Sequence, residues 1–245
     1  MGGGFGLSVH GSHRVVTERV LYAMPEVGIG LFPDVGGTWF LPRCPGRTGW
    51  HLALTTHRCD AADCLYTGYA THGVASENVA TVLDGLTALT PDDWAVGPAG
   101  QVIDRLLGLF AADFGTAGLA EDRGWIDTAY ATPDLDAILQ GLDAAEAPAP
   151  AKAAATIRRM SPTSLMLTVE GLRRGAKLTY ADCVTLEYRL TQACMAGDDF
   201  FEGIRALLID KDKTPIWKPS AANQVSAGAI AQAFEPGEFE DLRVP

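Results

Sequence analysis

The N-terminal quarter of the chain alternates short apolar segments with glycine-rich turns. An apolar segment that follows three consecutive glycines predicts a helix over residues 3–10. β-branched and apolar residues at short spacing predict strand pieces over residues 13–18 and 20–23. A nearly continuous apolar pattern predicts a buried helix within residues 46–56. Residues 28–37 contain too many glycines for a regular element and are predicted to form a loop.

Helix start signals recur through the rest of the chain. Thr90, Thr132 and Ser161 each offer a capping hydroxyl followed by a proline, which suits the first position of a helix. Asp60 and Thr179 each precede an acid by three positions, which is typical of a cap and a first helical turn. These signals predict a mainly helical chain beyond the N-terminal quarter.

Two helices near the C-terminus have predicted packing faces. In the helix that Ser161 starts, the apolar face is formed by Leu165, Val169 and Leu172. In the helix that Thr179 starts, the face is formed by Val184, Tyr188 and Thr191. Both helices are therefore predicted to contribute to packing.

The stretch Ala147-Pro-Ala-Pro-Ala-Lys152 resembles a linker, because it is rich in proline and alanine. It predicts a boundary between domains. The chain is then expected to comprise three segments: the glycine-loop region 1–76, a helical insertion 77–150 and a helical C-terminal region 151–245.

Composition and charge limit the classes of partner. With 245 residues, of which 47% are hydrophobic, the chain can bury a substantial core. A net charge of −11 argues against nucleic-acid binding through a basic surface. A polyanionic ligand would need local cations, and the candidates are Lys211, Lys213 and Lys218 around Trp217. A solvated chain segment explains these lysines equally well.

Cysteine usage and hydropathy predict the location. The five cysteines form no CxxC pair and are predicted to be reduced thiols in the core. No apolar run approaches the length of a membrane span, and the start of the sequence has no basic-then-apolar signal. The sequence therefore predicts a cytoplasmic protein without a membrane or nucleic-acid partner.

Glycines and two acids near the N-terminus are the candidate chemical groups. Glycines leave backbone N–H groups unhindered at the start of a helix, where these donors favour developing negative charge. Glu26 and Asp34 each follow a proline in apolar, glycine-rich surroundings, where a carboxyl group is costly to bury. No cluster of histidine or cysteine in the sequence suggests a metal. The pattern predicts half of an oxyanion hole near a pair of acids.

Three blocks of sequence carry a resemblance to a known family: Met1-Gly-Gly-Gly-Phe-Gly-Leu7, Met24-Pro-Glu26 and Gly30-Leu-Phe-Pro-Asp-Val-Gly-Gly37. They resemble the enoyl-CoA hydratase/isomerase (crotonase) superfamily. The likeness continues in Met160-Ser-Pro-Thr-Ser-Leu165 and Glu187-Tyr-Arg-Leu190. It implies an α/β fold with a crotonase-like ββα superhelix core and a mainly helical C-terminal region. It also implies an N-terminally incomplete core, because the likeness begins inside the family's glycine loop.

The resemblance separates several reactions. Hydratases of the family use a second glutamate at the position that Gly6 occupies here. An acid eight residues after Glu26, at Asp34, is typical of hydroxyacyl-CoA hydrolases and dienoyl-CoA isomerases, and Phe32-Pro33 resembles the hydrolases. The resemblance therefore implies hydrolysis of 3-hydroxyisobutyryl-CoA to 3-hydroxyisobutyrate and CoA, in valine catabolism. The alternatives are an enoyl- or dienoyl-CoA isomerase or hydratase-like enzyme, and a truncated chain without activity.

The resemblance also implies roles for individual residues. Glu26 and Asp34 are the expected catalytic residues, and the Gly3 N–H is the expected oxyanion-hole donor. Glu26 either attacks the thioester carbonyl or deprotonates the attacking water, while Asp34 binds the 3-hydroxyl or relays a proton. An acyl-CoA is the expected partner, and a homo-oligomer is left open. No metal or separate cofactor is expected, because coenzyme A is part of the substrate and its thiolate leaves readily.

Overall fold

The structure is a computed structural model that describes residues 3–237 and 239–242, so Met1 and Gly2 of the glycine run lie outside the described residues. The strands are β1 (Val15–Val16) and β2 (His72–Gly73). The α-helices, in chain order, are α1 (Gly3–Ser8), α2 (Gly37–Phe40), α3 (Thr48–Thr55), α4 (Ala61–Tyr66), α5 (Val79–Thr87), α6 (Pro91–Ala95), α7 (Ala99–Gly108), α8 (Gly118–Glu121), α9 (Arg123–Ala129), α10 (Leu135–Ala144), α11 (Pro148–Ile157), α12 (Pro162–Gly175), α13 (Tyr180–Ala196), α14 (Asp199–Ile204) and α15 (Ala227–Ala233). Short 3₁₀ helices cover Glu26–Ile29, Leu41–Arg43, Ser76–Asn78 and Ala222–Gln224, and Arg205–Ile209 is a π-helical turn after α14.

Contacts group the chain into two compact units, each built from separate stretches. The larger unit comprises Met1–Gly3, Ala23–His57 and Arg123–Pro245, and the smaller unit comprises Gly4–Tyr22 and Arg58–Asp122. The boundaries predicted from the sequence, with segments 1–76, 77–150 and 151–245, do not coincide with those of the units. The three-segment division stays a prediction.

A small parallel sheet lies in the smaller unit. Its strands β1 and β2 pair in a register that places Val15 opposite His72. The strand predicted over residues 13–18 is therefore present in a shorter form. Residues 20–23 do not form a strand, because Tyr22 makes only an isolated antiparallel bridge.

Aromatic packing supports α1, the helix predicted over residues 3–10. Phe5, which is buried, packs its ring against Tyr22 and Tyr69, with ring centroids 5.2 and 4.9 Å away. The helix is confirmed, although it ends at Ser8.

Most of the predicted helix starts are confirmed. Asp60 caps α4 by accepting a hydrogen bond from the Asp63 N–H at 2.9 Å. Thr90 and Thr179 form capping boxes at α6 and α13, and Ser161 caps α12. These caps follow from chemistry within three or four residues, which the sequence displays directly.

The helix start predicted at Thr132 is wrong. Asp134 caps α10 instead, and its carboxylate accepts a hydrogen bond from the Ala137 N–H at 2.9 Å. A carboxylate at a helix N-terminus satisfies the free N–H groups and also faces the positive end of the helix dipole.

The linker predicted over residues 147–152 is also wrong, because α11 begins at Pro148. The first N–H groups of a helix have no partner within the helix, so prolines in the first turn break no hydrogen bond. Ala153, Ala154 and Ile157 are buried on this helix, which contacts α10 and α3. Tertiary packing therefore makes this proline-rich segment helical.

One hydrophobic core cluster of the larger unit joins α12, α13 and α15 with the Phe32 side chain. Its buried side chains are Phe32, Leu167, Leu186, Leu190, Cys194, Ile230 and Phe234. The predicted face of α12 is buried as expected. On α13 the predicted face, Val184, Tyr188 and Thr191, is only half-buried, and the buried face consists of Cys183, Leu186, Glu187, Leu190 and Cys194. The buried face therefore includes a glutamate.

The five cysteines are buried thiols, as predicted for residues that fill the core. Within the described ranges, no helix combines the length and the apolar character needed to cross a membrane.

Candidate active site

Glu26 is the first residue of the 3₁₀ helix Glu26–Ile29 in the larger unit. Its side chain is only 5% exposed, and its Oε2 has no hydrogen-bond partner among the described residues. Burial, together with the charge of Asp34, raises the pKa of Glu26 to about 8, although its own backbone N–H partly offsets this. A carboxyl group with this pKa exchanges its proton near neutral pH, where general acid–base catalysis is efficient.

The 3₁₀ helix of Glu26 is held tightly from the C-terminal region. Gly30 ends the helix with φ of 73°, and a Cβ there would lie 2.2 Å from the Asp199 carbonyl. The Ser161 N–H donates to the Val27 carbonyl at 3.2 Å, and the Ser161 hydroxyl donates to the buried Asp199 carboxylate at 2.6 Å. The sequence blocks around Ser161 and Asp199 therefore fix the backbone that carries Glu26.

Asp34 lies on a strained turn that leads into α2. Val35 and Gly36 both have left-handed backbone angles, with φ of 52° and 88°, and the Gly37 N–H donates to the Asp34 carbonyl at 2.8 Å. A β-branched residue in this region costs roughly 1–3 kcal/mol, so the surrounding structure must hold the turn. Asp34 is half-buried, and burial raises the pKa of its carboxyl group.

Glu187 is the residue that holds this turn, and sequence reasoning missed it. Its Oε2 accepts a hydrogen bond from the Gly36 N–H at 2.8 Å, and its Oε1 accepts from the Thr38 N–H at 2.9 Å and the Thr38 hydroxyl at 2.6 Å. The Glu187 side chain is 6% exposed, and burial raises its pKa to about 7. The hydrogen bonds from Thr38 and Gly36 lower the pKa and offset part of this rise, while the charge of Asp34 adds to it. The available signal was the spacing of Cys183, Leu186 and Leu190, which places Glu187 on the same apolar stripe.

The structure thus brings the two predicted acids together with a third. The charge of Asp34 raises the pKa of both Glu26 and Glu187, so Asp34 lies within electrostatic range of each of these two glutamates. With a pKa of about 8 for Glu26 and about 7 for Glu187, both carboxyl groups exchange protons near neutral pH. The arrangement can therefore accept or deliver a proton at a reacting carbonyl group.

Gly3 is the first residue of α1 and is exposed. Contacts group it with the larger unit, which carries Glu26 and Asp34, and a Cβ at Gly3 would meet nothing within 4 Å. The role of its N–H as an oxyanion-hole donor stays a prediction.

Two of the lysines considered for a polyanionic ligand such as the phosphates of CoA, Lys211 and Lys213, are exposed and have left-handed φ angles of 58° and 57°. Lys218 is also exposed, and its backbone N–H donates to Asp199 at 2.8 Å. Trp217 is anchored by an indole N–H that donates to the Arg159 carbonyl at 2.9 Å. Phosphate binding by these lysines stays a prediction.

The sequence profile of the enoyl-CoA hydratase/isomerase family matches residues 1–234, and the chain belongs to this family. It is 43% identical over 249 residues to the mitochondrial 3-hydroxyisobutyryl-CoA hydrolase of Gallus gallus, a match that covers 100% of this chain and 63% of that protein. The protein of the same name from Homo sapiens is 40% identical over 248 residues, covering 99% of this chain and 63% of the relative. The chain therefore spans about 63% of the length of these curated relatives.

A solved structure described as a carnitinyl-CoA dehydratase from Mycobacterium thermoresistibile is 38% identical to this chain, with a TM-score of 0.88. That match covers 98% of this chain and 66% of the other. A second, described as an enoyl-CoA hydratase from Rhodobacter sphaeroides, is 34% identical with a TM-score of 0.83, covering 96% of this chain and 65% of the other. The predicted α/β, crotonase-like fold class is confirmed.

The predicted cytoplasmic location is wrong, because both curated relatives named above are mitochondrial proteins. The prediction relied on cysteines that do not pair in disulfides. Such cysteines indicate a reducing environment, but they do not distinguish one reducing compartment from another.

Proposed function

We propose that the chain acts on a CoA thioester and hydrolyses 3-hydroxyisobutyryl-CoA to 3-hydroxyisobutyrate and free CoA. The observation that carries this proposal is the buried carboxyl group of Glu26, whose Oε2 has no hydrogen-bond partner in the described part of the chain and which lies in electrostatic range of Asp34. The relatives that are named as hydrolases of this substrate support the choice of reaction. Valine catabolism is the corresponding pathway in the proposal.

In the proposed reaction, the thioester carbonyl oxygen accepts a hydrogen bond from the Gly3 N–H as negative charge develops on it. Ionised Glu26 either removes a proton from water, which attacks the carbonyl carbon, or attacks that carbon itself to form an anhydride that water then hydrolyses. In both routes the C–S bond breaks and the thiolate of CoA leaves with the bonding electrons. The proposal needs no metal or separate cofactor, because this thiolate is a good leaving group.

Asp34 contacts the 3-hydroxyl group of the substrate or relays a proton in this proposal. We expect Asp34→Asn to lower the kcat for CoA release by roughly 10-fold to 100-fold, because the amide keeps the hydrogen bond and loses the base. The effect is expected to be smaller than that of changing Glu26. Steady-state assays of CoA release by both variants measure the ranking, and an Asp34→Asn variant with the rate of the unchanged chain removes Asp34 from the mechanism.

Hydration or dehydration is the second candidate, because the two solved structures named above are described as a dehydratase and a hydratase. Against this candidate, Gly6 on α1 offers no side chain at the position where the family's hydratases have their second glutamate. Hydratases of the family use two glutamates to add water to a double bond, whereas the proposed hydrolysis uses Glu26 alone to activate water or to attack the carbonyl carbon.

The test uses the purified chain and three substrates. A cooperative thermal unfolding transition first establishes that the chain is folded. A thiol reagent then reports free CoA from 3-hydroxyisobutyryl-CoA, while ultraviolet absorbance follows hydration of crotonyl-CoA and isomerisation of a dienoyl-CoA. We expect CoA release alone. Hydration of crotonyl-CoA supports the second candidate, and isomerisation of the dienoyl-CoA supports an isomerase. A folded chain that binds acyl-CoA without turnover supports a non-catalytic role.

A further inference from the structure

The backbone that carries Asp34 has few local means of support. Val35 and Gly36 are both left-handed, and the Gly36 N-cap of α2 receives no side-chain hydrogen bond that would cap the helix from its own sequence. Only glycine adopts left-handed backbone angles without strain. Without a contact that holds it, the turn would therefore relax so that Val35 returns to ordinary angles. The position of Asp34 therefore depends on a contact from elsewhere in the larger unit.

We propose that Glu187 is a positioning residue for Asp34, because its carboxylate fastens the turn that carries the acid from a rigid helix about 150 residues further along the chain. The proposal rests on the hydrolase function proposed above and extends it to a residue that touches no substrate in the scheme.

The geometry of the contact is specific to a carboxylate. Glu187 accepts three hydrogen bonds, one on Oε2 and two on Oε1, and all three donors belong to Gly36 and Thr38, which flank the start of α2. Both carboxylate oxygens are needed, since each faces a backbone N–H. A glutamine in the same place keeps one acceptor and turns an NH₂ group toward the other N–H.

The surroundings make this contact strong and rigid. Thr38 is buried, and a Cβ at Gly175 of α12 would lie 2.0 Å from the Thr38 carbonyl, so the start of α2 is packed tightly from a second side. Charge-assisted hydrogen bonds are shorter and stronger than neutral ones, and burial strengthens them further. The titratable groups in electrostatic range of Glu187 include Asp34 on the turn and Tyr180 and Cys183 on α13, and Arg43 acts on the same Cys183.

The test compares Glu187→Gln with Glu170→Gln. Glu170 lies on α12, where its carboxylate pairs with Arg173 and Arg174, so it is the control for the loss of a glutamate charge. For Glu187→Gln we expect kcat to fall roughly 10-fold to 100-fold, the loss that about 1 Å of misplacement causes, with KM within about 3-fold. We expect Glu170→Gln to keep both constants.

The pH–rate profile separates positioning from mere support of the fold. The charge of Asp34 raises the pKa of Glu26, so an Asp34 that is no longer held in place lets Glu26 ionise more readily, and the acid limb of the Glu187→Gln profile is expected to move to lower pH. A variant that merely has a smaller folded fraction lowers kcat by the same factor at every pH, so the midpoint of the acid limb does not change. A loss of kcat below 3-fold, or a profile that is scaled without a shift, overturns the proposal.

Amide hydrogen exchange tests the same contact without any turnover. In Glu187→Gln the Gly36 and Thr38 amides are expected to exchange roughly 10-fold faster than in Glu170→Gln, since local opening of the turn becomes easier. Equal exchange rates in the two variants overturn the proposal. If the unchanged chain releases no CoA but the two variants differ in exchange rate as expected, the proposed hydrolase function fails. The role of Glu187 in holding the turn then still stands.

Discussion

Glu26→Gln is expected to lower the kcat for CoA release from 3-hydroxyisobutyryl-CoA by roughly 10³-fold or more, as loss of a catalytic group that makes or breaks bonds does in other enzymes. The glutamine has the same shape and fits the buried site, but its amide neither attacks a carbonyl carbon nor accepts a proton from water. Acyl-CoA affinity is expected to stay within about 3-fold, because the lost group acts in the transition state. Thiol detection measures the rate, and calorimetric titration with a non-hydrolysable CoA thioether measures the binding.

Glu77→Gln is the matched control for this experiment. Glu77 also lies on a short 3₁₀ helix, Ser76–Asn78, but it is exposed and belongs to the smaller unit. Its substitution is expected to leave kcat and affinity unchanged. A Glu26→Gln variant that is folded and retains more than a tenth of the original turnover contradicts the assignment of Glu26 as nucleophile or base.

The parts of the fold that the sequence predicts well are those that local chemistry decides. A cap needs only an oxygen and an N–H three residues away, so Asp60, Ser161 and Thr179 were identifiable from neighbouring residues alone. Glu26 and Asp34 were identifiable for a similar reason, since a carboxyl group among glycines, prolines and apolar residues stands out in any sequence.

The parts that the sequence does not predict are those that distant partners decide. The segment from Pro148 has the composition of a linker, and only its packing against α10 and α3 makes it a helix. The sequence of α13 offers two faces that could be buried, one with Val184 and Tyr188 and the other with Leu186 and Leu190. The sequence prediction places the stripe of Val184, Tyr188 and Thr191 inward, whereas the buried stripe is the one that contains Glu187. The hydrogen bonds of Glu187 reach Gly36 and Thr38, about 150 positions earlier in the chain. No local pattern encodes a contact of that separation.

Glu26→Gln is also expected to change how the stability of the chain depends on pH. The pKa of Glu26 is about 8 in the folded chain and near its ordinary value of 4.5 when unfolded. Between these values the folded state binds more protons than the unfolded state, so the free energy of unfolding falls as the pH rises. The full effect of ionising this one buried group is on the order of 3–5 kcal/mol above pH 8, and it is absent below pH 4.5.

The glutamine stays neutral at every pH, so Glu26→Gln removes this loss of stability. At pH 5 the variant and the unchanged chain are expected to differ by about 1 kcal/mol or less, because both side chains are then neutral and of similar size. At pH 9 the variant is expected to be the more stable by a few kcal/mol, a large fraction of the roughly 5–15 kcal/mol that holds a domain folded. Urea unfolding at the two pH values measures the difference, with Glu77→Gln as the exposed control. Equal differences at pH 5 and pH 9 would mean that Glu26 ionises as readily in the folded chain as in water, which its burial and its unpartnered oxygen both argue against.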